Sequence, residues 1–73
     1  MTVYNLKKGE SAKVVAIKLD SGAAARLNAL GLKMGTCIQV LSFSLFKSAV
    51  LLSFGAVRVG LRKSLANAIQ VTK

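Results

Sequence analysis

The sequence predicts a mainly β protein: a small closed or nearly closed barrel, with one short helix inserted after the first strand and a short helical turn before the last strand. Three observations carry this. Short segments with period-two apolar alternation recur along the chain, joined by short connections. One stretch alone, "DSGAAARLNALG", has a capping residue followed by strong helix formers. The chain has 73 residues, which is one small domain, 1–73, with room for a single thin core.

The elements follow in order. "NLKKGE" is a loop in which Gly9 permits a turn. "AKVVAIKL", Ala12 to Leu19, is β-branched and short, so it reads as the first strand. Val15, Ile17 and Leu19 share one face, and Val14, Ala16 and Lys18 the other. Asp20 or Ser21 can cap the helix that comes next. In it Ala23, Leu27 and Leu30 are spaced to share a face.

Gly31 then stands where the helix must stop, a position that favours left-handed backbone. Leu32 follows as the apolar residue that folds back on the last turn. Lys33 to Thr36 make a type II turn, whose third position wants the positive φ of Gly35. Gly31 and Gly35 are therefore structural turn residues. A phosphate cradle would need a strand before the glycines and a helix after them, and here the order is reversed.

"TCIQVLSFS" and "SAVLLSFG" flank Leu45, Phe46 and Lys47 as a hairpin with its tip near Phe46. Val50, Leu52 and Phe54 alternate with Ala49, Leu51 and Ser53. In "AVRVGLR", Val57, Val59 and Leu61 point inward, and Arg58, Gly60 and Arg62 outward. "KSLANA" is a short helical turn with Ser64 a potential cap, and "AIQV" is the last strand, carrying Ile69 and Val71.

Composition narrows the function. Apolar residues make up 53% of the chain, too many for disorder even at a net charge of +9. The longest apolar run, Ala49 to Val57, is broken by Ser53 and Gly55 and falls short of the roughly 20 residues of a spanning helix. The N-terminus lacks the apolar run of a signal peptide, and the single Cys37 excludes an internal disulfide, so a cytoplasmic protein is expected. Eleven basic residues against Glu10 and Asp20 attract anions: nucleic acid, anionic lipid or an acidic protein surface.

Catalytic chemistry is poorly supplied. There is no histidine, so Cys37 has no base to activate it and no Ser/His/Asp arrangement exists. Cys37 reads as a buried small hydrophobe on a strand, and Asp20 as a helix cap. A zinc site needs three or four N, S or O ligands, more than this chain offers, so no metal and no cofactor is expected of the monomer. A weaker site shared between two chains could use Cys37 or Glu10. No enzyme and no small-molecule substrate is expected.

Two features can bind a partner. One is the outward basic set, Arg58 and Arg62 with Lys18 and Lys63. The other is the tip "SLFKS", where Leu45 and Phe46 precede Lys47 and are bulky for a hairpin end. The tip either folds back over the core or forms an apolar patch of the kind that marks a partner site. Nucleic acid is the competing partner. Its single-strand binders need exposed stacking aromatics, and Tyr4, Phe43, Phe46 and Phe54 make a poor platform.

The runs "NLKKGESAKVVAI", "RLNALGLKMGTCIQV" and "VRVGLRKSLANAIQV" resemble the FeoA family over nearly the whole chain. The most specific piece is "LNALGLKMGT" followed at a distance by "LRKSLANAIQV". The resemblance implies an SH3-like β-barrel and an accessory role in bacterial ferrous-iron uptake. The implied partner is the cytoplasmic part of FeoB, a membrane GTPase and permease, which would also hold the protein peripherally at the inner membrane. The alternative is a basic SH3-like nucleic-acid-binding module. Similar domains end iron-responsive repressors, but no DNA-binding helix pair is attached here. Where the family often has proline, this chain has Met34, and "LSFSLFKSAV" lacks the proline and glycine common there. The family carries no agreed catalytic residues, so none transfer. Open strand edges also permit a homodimer.

Overall fold

The computed structural model describes all residues, Met1–Lys73. After a 3-10 turn at Val3–Asn5 come β1 (Ser11–Ile17), α1 (Ser21–Leu30), β2 (Cys37–Phe43), a 3-10 tip (Leu45–Lys47), β3 (Ala49–Phe54), β4 (Val57–Arg62), α2 (Lys63–Ala66) and β5 (Ile69–Thr72). The strands form one antiparallel sheet in the order β4-β3-β2-β1-β5. This is the expected mainly β, SH3-like arrangement, with the helix after the first strand and the helical turn before the last. The sheet's two ends, β4 and β5, are joined by α2 and do not pair with each other.

Alternation fills the core. Ile38 and Val40 of β2, Val50, Leu52 and Phe54 of β3, and Leu61 of β4 are buried in one apolar cluster. Val57 and Val59 point inward as expected but are only half-buried, because β4 has a strand on one side only. No polar or charged side chain is buried. The interior thus holds no sheltered acid, base or nucleophile.

Several expectations need correction. β1 ends at Ile17 rather than Leu19, because its partner β5 begins opposite, at Ile69. A bulge between Val14 and Ala16 inserts one residue, so Val14 and Ile17 both meet inward residues of β5, and Val15 is left exposed. Cys37 is exposed, not buried: with Ile38 and Val40 inward, strand parity turns it out. Ser64 caps nothing, since α2 starts at Lys63 with Arg62 in the capping position and no side-chain cap.

α1 begins as predicted, with the Ala23 N–H donating to the Asp20 carboxylate at 2.8 Å. Its end is a full Schellman arrangement. The Leu32 N–H reaches the Leu27 carbonyl and the Gly31 N–H the Asn28 carbonyl, both at 2.9 Å, with Gly31 at φ 104°. Leu27 is buried but Leu30 is 47% exposed, against expectation. The chain reverses at Gly31 and Leu32, fully buried, takes the core position. The following turn closes with a Thr36 N–H bond to the Lys33 carbonyl at 3.1 Å and Gly35 at φ 91°, as a type II turn requires. The Gly35 N–H donates to the Val14 carbonyl at 2.8 Å, which ties the turn to β1.

Candidate functional site

The hairpin between β2 and β3 carries the least buried large apolar side chains of the molecule. Leu45 is 79% and Phe46 90% exposed, so the tip does not fold back over the core. Its backbone is strained. Phe46 (φ 61°, ψ 16°) and Lys47 (φ 55°) are the chain's two non-glycine residues in left-handed conformation. Bulky residues rarely adopt it, and such positions persist only where surrounding contacts enforce them.

Those contacts are present. The Ala49 N–H and the Ser48 hydroxyl engage Ser44 Oγ at 2.8 and 2.9 Å, and the Lys47 N–H closes on the Ser44 carbonyl at 2.8 Å. From the far end of the chain the Tyr4 hydroxyl donates to the Lys47 carbonyl at 2.9 Å. The Lys47 ammonium lies 4.5 Å from the Phe43 ring centre and 5.0 Å from that of Tyr4, and the Lys63 ammonium 5.3 Å from Tyr4. Tyr4 and Phe43 meet edge to face at 6.1 Å. These contacts are attractive at such distances and hold the base of the tip firm while its apex stays bare. Sequence reasoning missed this support. Tyr4 lies 43 residues from Lys47, and no local pattern joins them.

Arg58 and Arg62 are exposed on the outer side of β4, as their parity predicts. Arg62 stands opposite Ala49 at the base of the tip, whereas Arg58 stands opposite Ser53. Four residues of strand separate the two arginines by about 13 Å. The structure therefore joins Arg62, Lys47 and Lys63 to the tip and leaves Arg58 toward the other end of the face.

Neither carboxylate forms an ion pair with the basic side chains of this face. Glu10 pairs with Lys73, the chain's single ion pair, and also accepts the Lys7 N–H at 2.6 Å. The Lys73 hydrogen bond, helped by that N–H, holds the Glu10 carboxyl below its ordinary value. Asp20 is engaged in capping α1. No three His, Cys, Asp or Glu side chains gather in one place. No helix is long and apolar enough to cross a membrane.

For stacking on nucleic acid, Phe54 is buried and Tyr4 and Phe43 are occupied at the tip base. That leaves Phe46 alone, and one exposed ring is a poor platform.

Residues 1–73 match the FeoA domain family from end to end. Among solved structures, the chain is similar to the FeoA protein from Chlorobium tepidum, at 27% identity and a TM-score of 0.92, over 97% of this chain and 68% of that one. It is similar to an iron uptake regulatory protein (FeoA), at 29% identity and 0.85, over 97% and 93%. It is also similar to Stenotrophomonas maltophilia FeoA complexed with zinc, at 28% and 0.80, over 99% and 89%. That protein is described as a procaryotic SH3 domain protein and a candidate ferrous iron transport activating factor. No curated protein sequence matches the chain.

Proposed function

The chain belongs to the FeoA domain family, and from that premise we propose that it is a non-enzymatic accessory protein of bacterial ferrous-iron uptake. It works in the cytoplasm by contact with the cytoplasmic part of the FeoB GTPase and permease, which holds it at the inner membrane. Leu45 and Phe46 are the apolar anchors of that contact. Lys47, Arg58 and Arg62 meet an acidic rim on the partner.

One observation carries this reading: a bare Leu–Phe apex held in strained backbone by a Tyr4–Lys47 clamp. An exposed apolar pair beside basic residues is the composition of a contact surface, with apolar anchors for lifetime and charge for encounter.

The test is capture of FeoB's cytoplasmic part by this chain, run beside a non-specific RNA and DNA assay over a salt series. Capture of FeoB that weakens moderately with salt supports the proposal. Binding to nucleic acid alone, lost steeply with salt, favours the alternative, because phosphate contacts carry that affinity.

A further inference from the structure

The two ends of the sheet differ. Beyond β5 the chain's own start supplies cover: the Val71 N–H donates to the Met1 carbonyl at 2.9 Å, and Thr2 bridges Gln70. No strand lies beyond β4.

The register shows which groups β4 offers there. The Lys63 N–H donates to the Ser48 carbonyl at 2.9 Å, so that pair is hydrogen-bonded. Antiparallel pairs alternate, and the pairing runs without a slip from Ala49↔Arg62 to Phe54↔Val57. Leu61, Val59 and Val57 therefore spend their backbone groups on β3. Arg58 and Gly60 turn theirs outward. Gly60 is exposed, and in a residue without a side chain that exposure belongs to the backbone. A Cβ built on Gly60 meets nothing within 4 Å.

α1 stands across from this edge. A groove of about 510 Å³ at one end of β4 has Asp20, at the start of α1, with Ala23, Arg26 and Leu27 of that helix facing Arg62 and Leu65. At the other end, Leu30 and Gly31 face Phe54 and Val57. A strand edge flanked by a helix is the geometry in which an extended peptide adds to a sheet.

We propose that the β4 edge binds an extended acidic segment of a partner protein by strand addition, with acidic side chains four residues apart opposite Arg58 and Arg62 and a small or polar residue opposite Gly60. The occupant follows from charge. A second copy pairing antiparallel about Gly60 would set each Arg58 opposite the other copy's Arg62, and like charges directly opposite repel. The same two arginines attract carboxylates. Asp20 lines the groove with Arg62, but it is engaged in capping α1, and neither arginine forms an ion pair within the chain. The inference rests on the reading above that the chain acts through a protein contact, and it names the mode and chemistry of that contact.

The test titrates isotope-labelled protein with the blocked peptide Ser-Glu-Val-Thr-Val-Glu-Ser, using Ser-Lys-Val-Thr-Val-Lys-Ser as control, and follows backbone amides by NMR. Amide shifts and slowed exchange at Arg58 and Gly60 are expected, with the lysine peptide weaker by about tenfold or more. Arg58→Glu with Arg62→Glu should reverse that preference. Gly60→Pro removes an outward N–H and no bond to β3, so the barrel should stay folded while the peptide no longer binds. If that variant does not fold, N-methylation of the peptide's threonine deletes a bond to the same edge from the other side, with the same loss expected.

No shift at millimolar peptide, equal binding of both peptides, or shifts centred on Leu45 and Phe46 would overturn the proposal. So would concentration-dependent protection of Arg58 and Gly60 without peptide, which would mean self-pairing. The two readings fail separately. FeoB captured equally by wild type and Gly60→Pro sinks the edge and spares the partner. Peptide binding as expected without any capture of FeoB does the reverse.

Discussion

The Tyr4 hydroxyl donates a 2.9 Å hydrogen bond to the carbonyl of Lys47, joining the first turn of the chain to the base of its central hairpin tip. Lys47 is in left-handed backbone, and its ammonium lies against the same tyrosine ring. One aromatic side chain thus holds both the backbone and the charge at the base of the tip.

Tyr4→Phe keeps the ring contacts and removes only this bond. A loss of about 1 kcal/mol is expected, read as a lower thermal midpoint with an unchanged circular dichroism spectrum. Faster amide exchange at Phe46 and Lys47 than elsewhere would mark the clamp; uniform exchange changes would argue against it.

Phe46→Gly should raise stability and lower partner binding together. A left-handed L-residue costs about 1–2 kcal/mol, which glycine avoids. The exposed ring has no packing to lose in the free protein. FeoB capture should show faster dissociation with little change in association. A variant that binds as before would remove Phe46 from the contact.

Gly31→Val should destabilise by roughly 1–3 kcal/mol. The cause is backbone, not crowding: a Cβ there would lie 3.7 Å from the Phe54 ring, an ordinary contact, while φ is +104°. Gly31→Asn, which tolerates that conformation better, should recover part of the loss. Equal melting of all three proteins would contradict the turn assignment.

The Cys37 thiol should be alkylated in the folded protein without denaturant, because the side chain is exposed on the outer side of β2. Protection until global unfolding would restore the buried position that strand composition suggested.

Glu10 sets an acid limit. Its carboxyl is held below the ordinary value, chiefly by the Lys73 hydrogen bond. A depressed folded value means the unfolded state binds the proton first as pH falls. The stability Glu10 lends is present above its unfolded value and fades as pH drops through the folded one. Glu10→Gln should therefore flatten the acid side of the melting-temperature profile and leave the rest of its shape unchanged. Added salt should shrink the difference, since the pair is exposed. A variant profile parallel to wild type throughout would show that the pair contributes nothing.

What the sequence determined by itself is local. The Asp20 cap, the Gly31 stop, the Gly35 turn and the alternation of Val50, Leu52 and Phe54 each depend on residues a few positions apart, and each stands in the fold as predicted. Arg58 and Arg62 share an outer face for the same reason, since strand parity is a near-neighbour property. The family resemblance added the SH3-like topology.

Tertiary structure decided the rest, because it depended on which distant strand lies opposite. The bulge in β1 exposed Val15 and turned Ile17 inward, and the parity of β2 turned Cys37 out. The reversal at Gly31 put Leu32 in the core and left Leu30 bare. Composition permitted both a buried and an exposed Phe46. The clamp from Tyr4 and the left-handed backbone it holds decided for exposure, and neither can be read within a dozen residues of the tip. The free edge at Gly60 is likewise a property of sheet order. A strand cannot announce in its own residues whether a neighbour will pair with it, and only the assembled sheet, with Met1 and Thr2 covering β5, left β4 open.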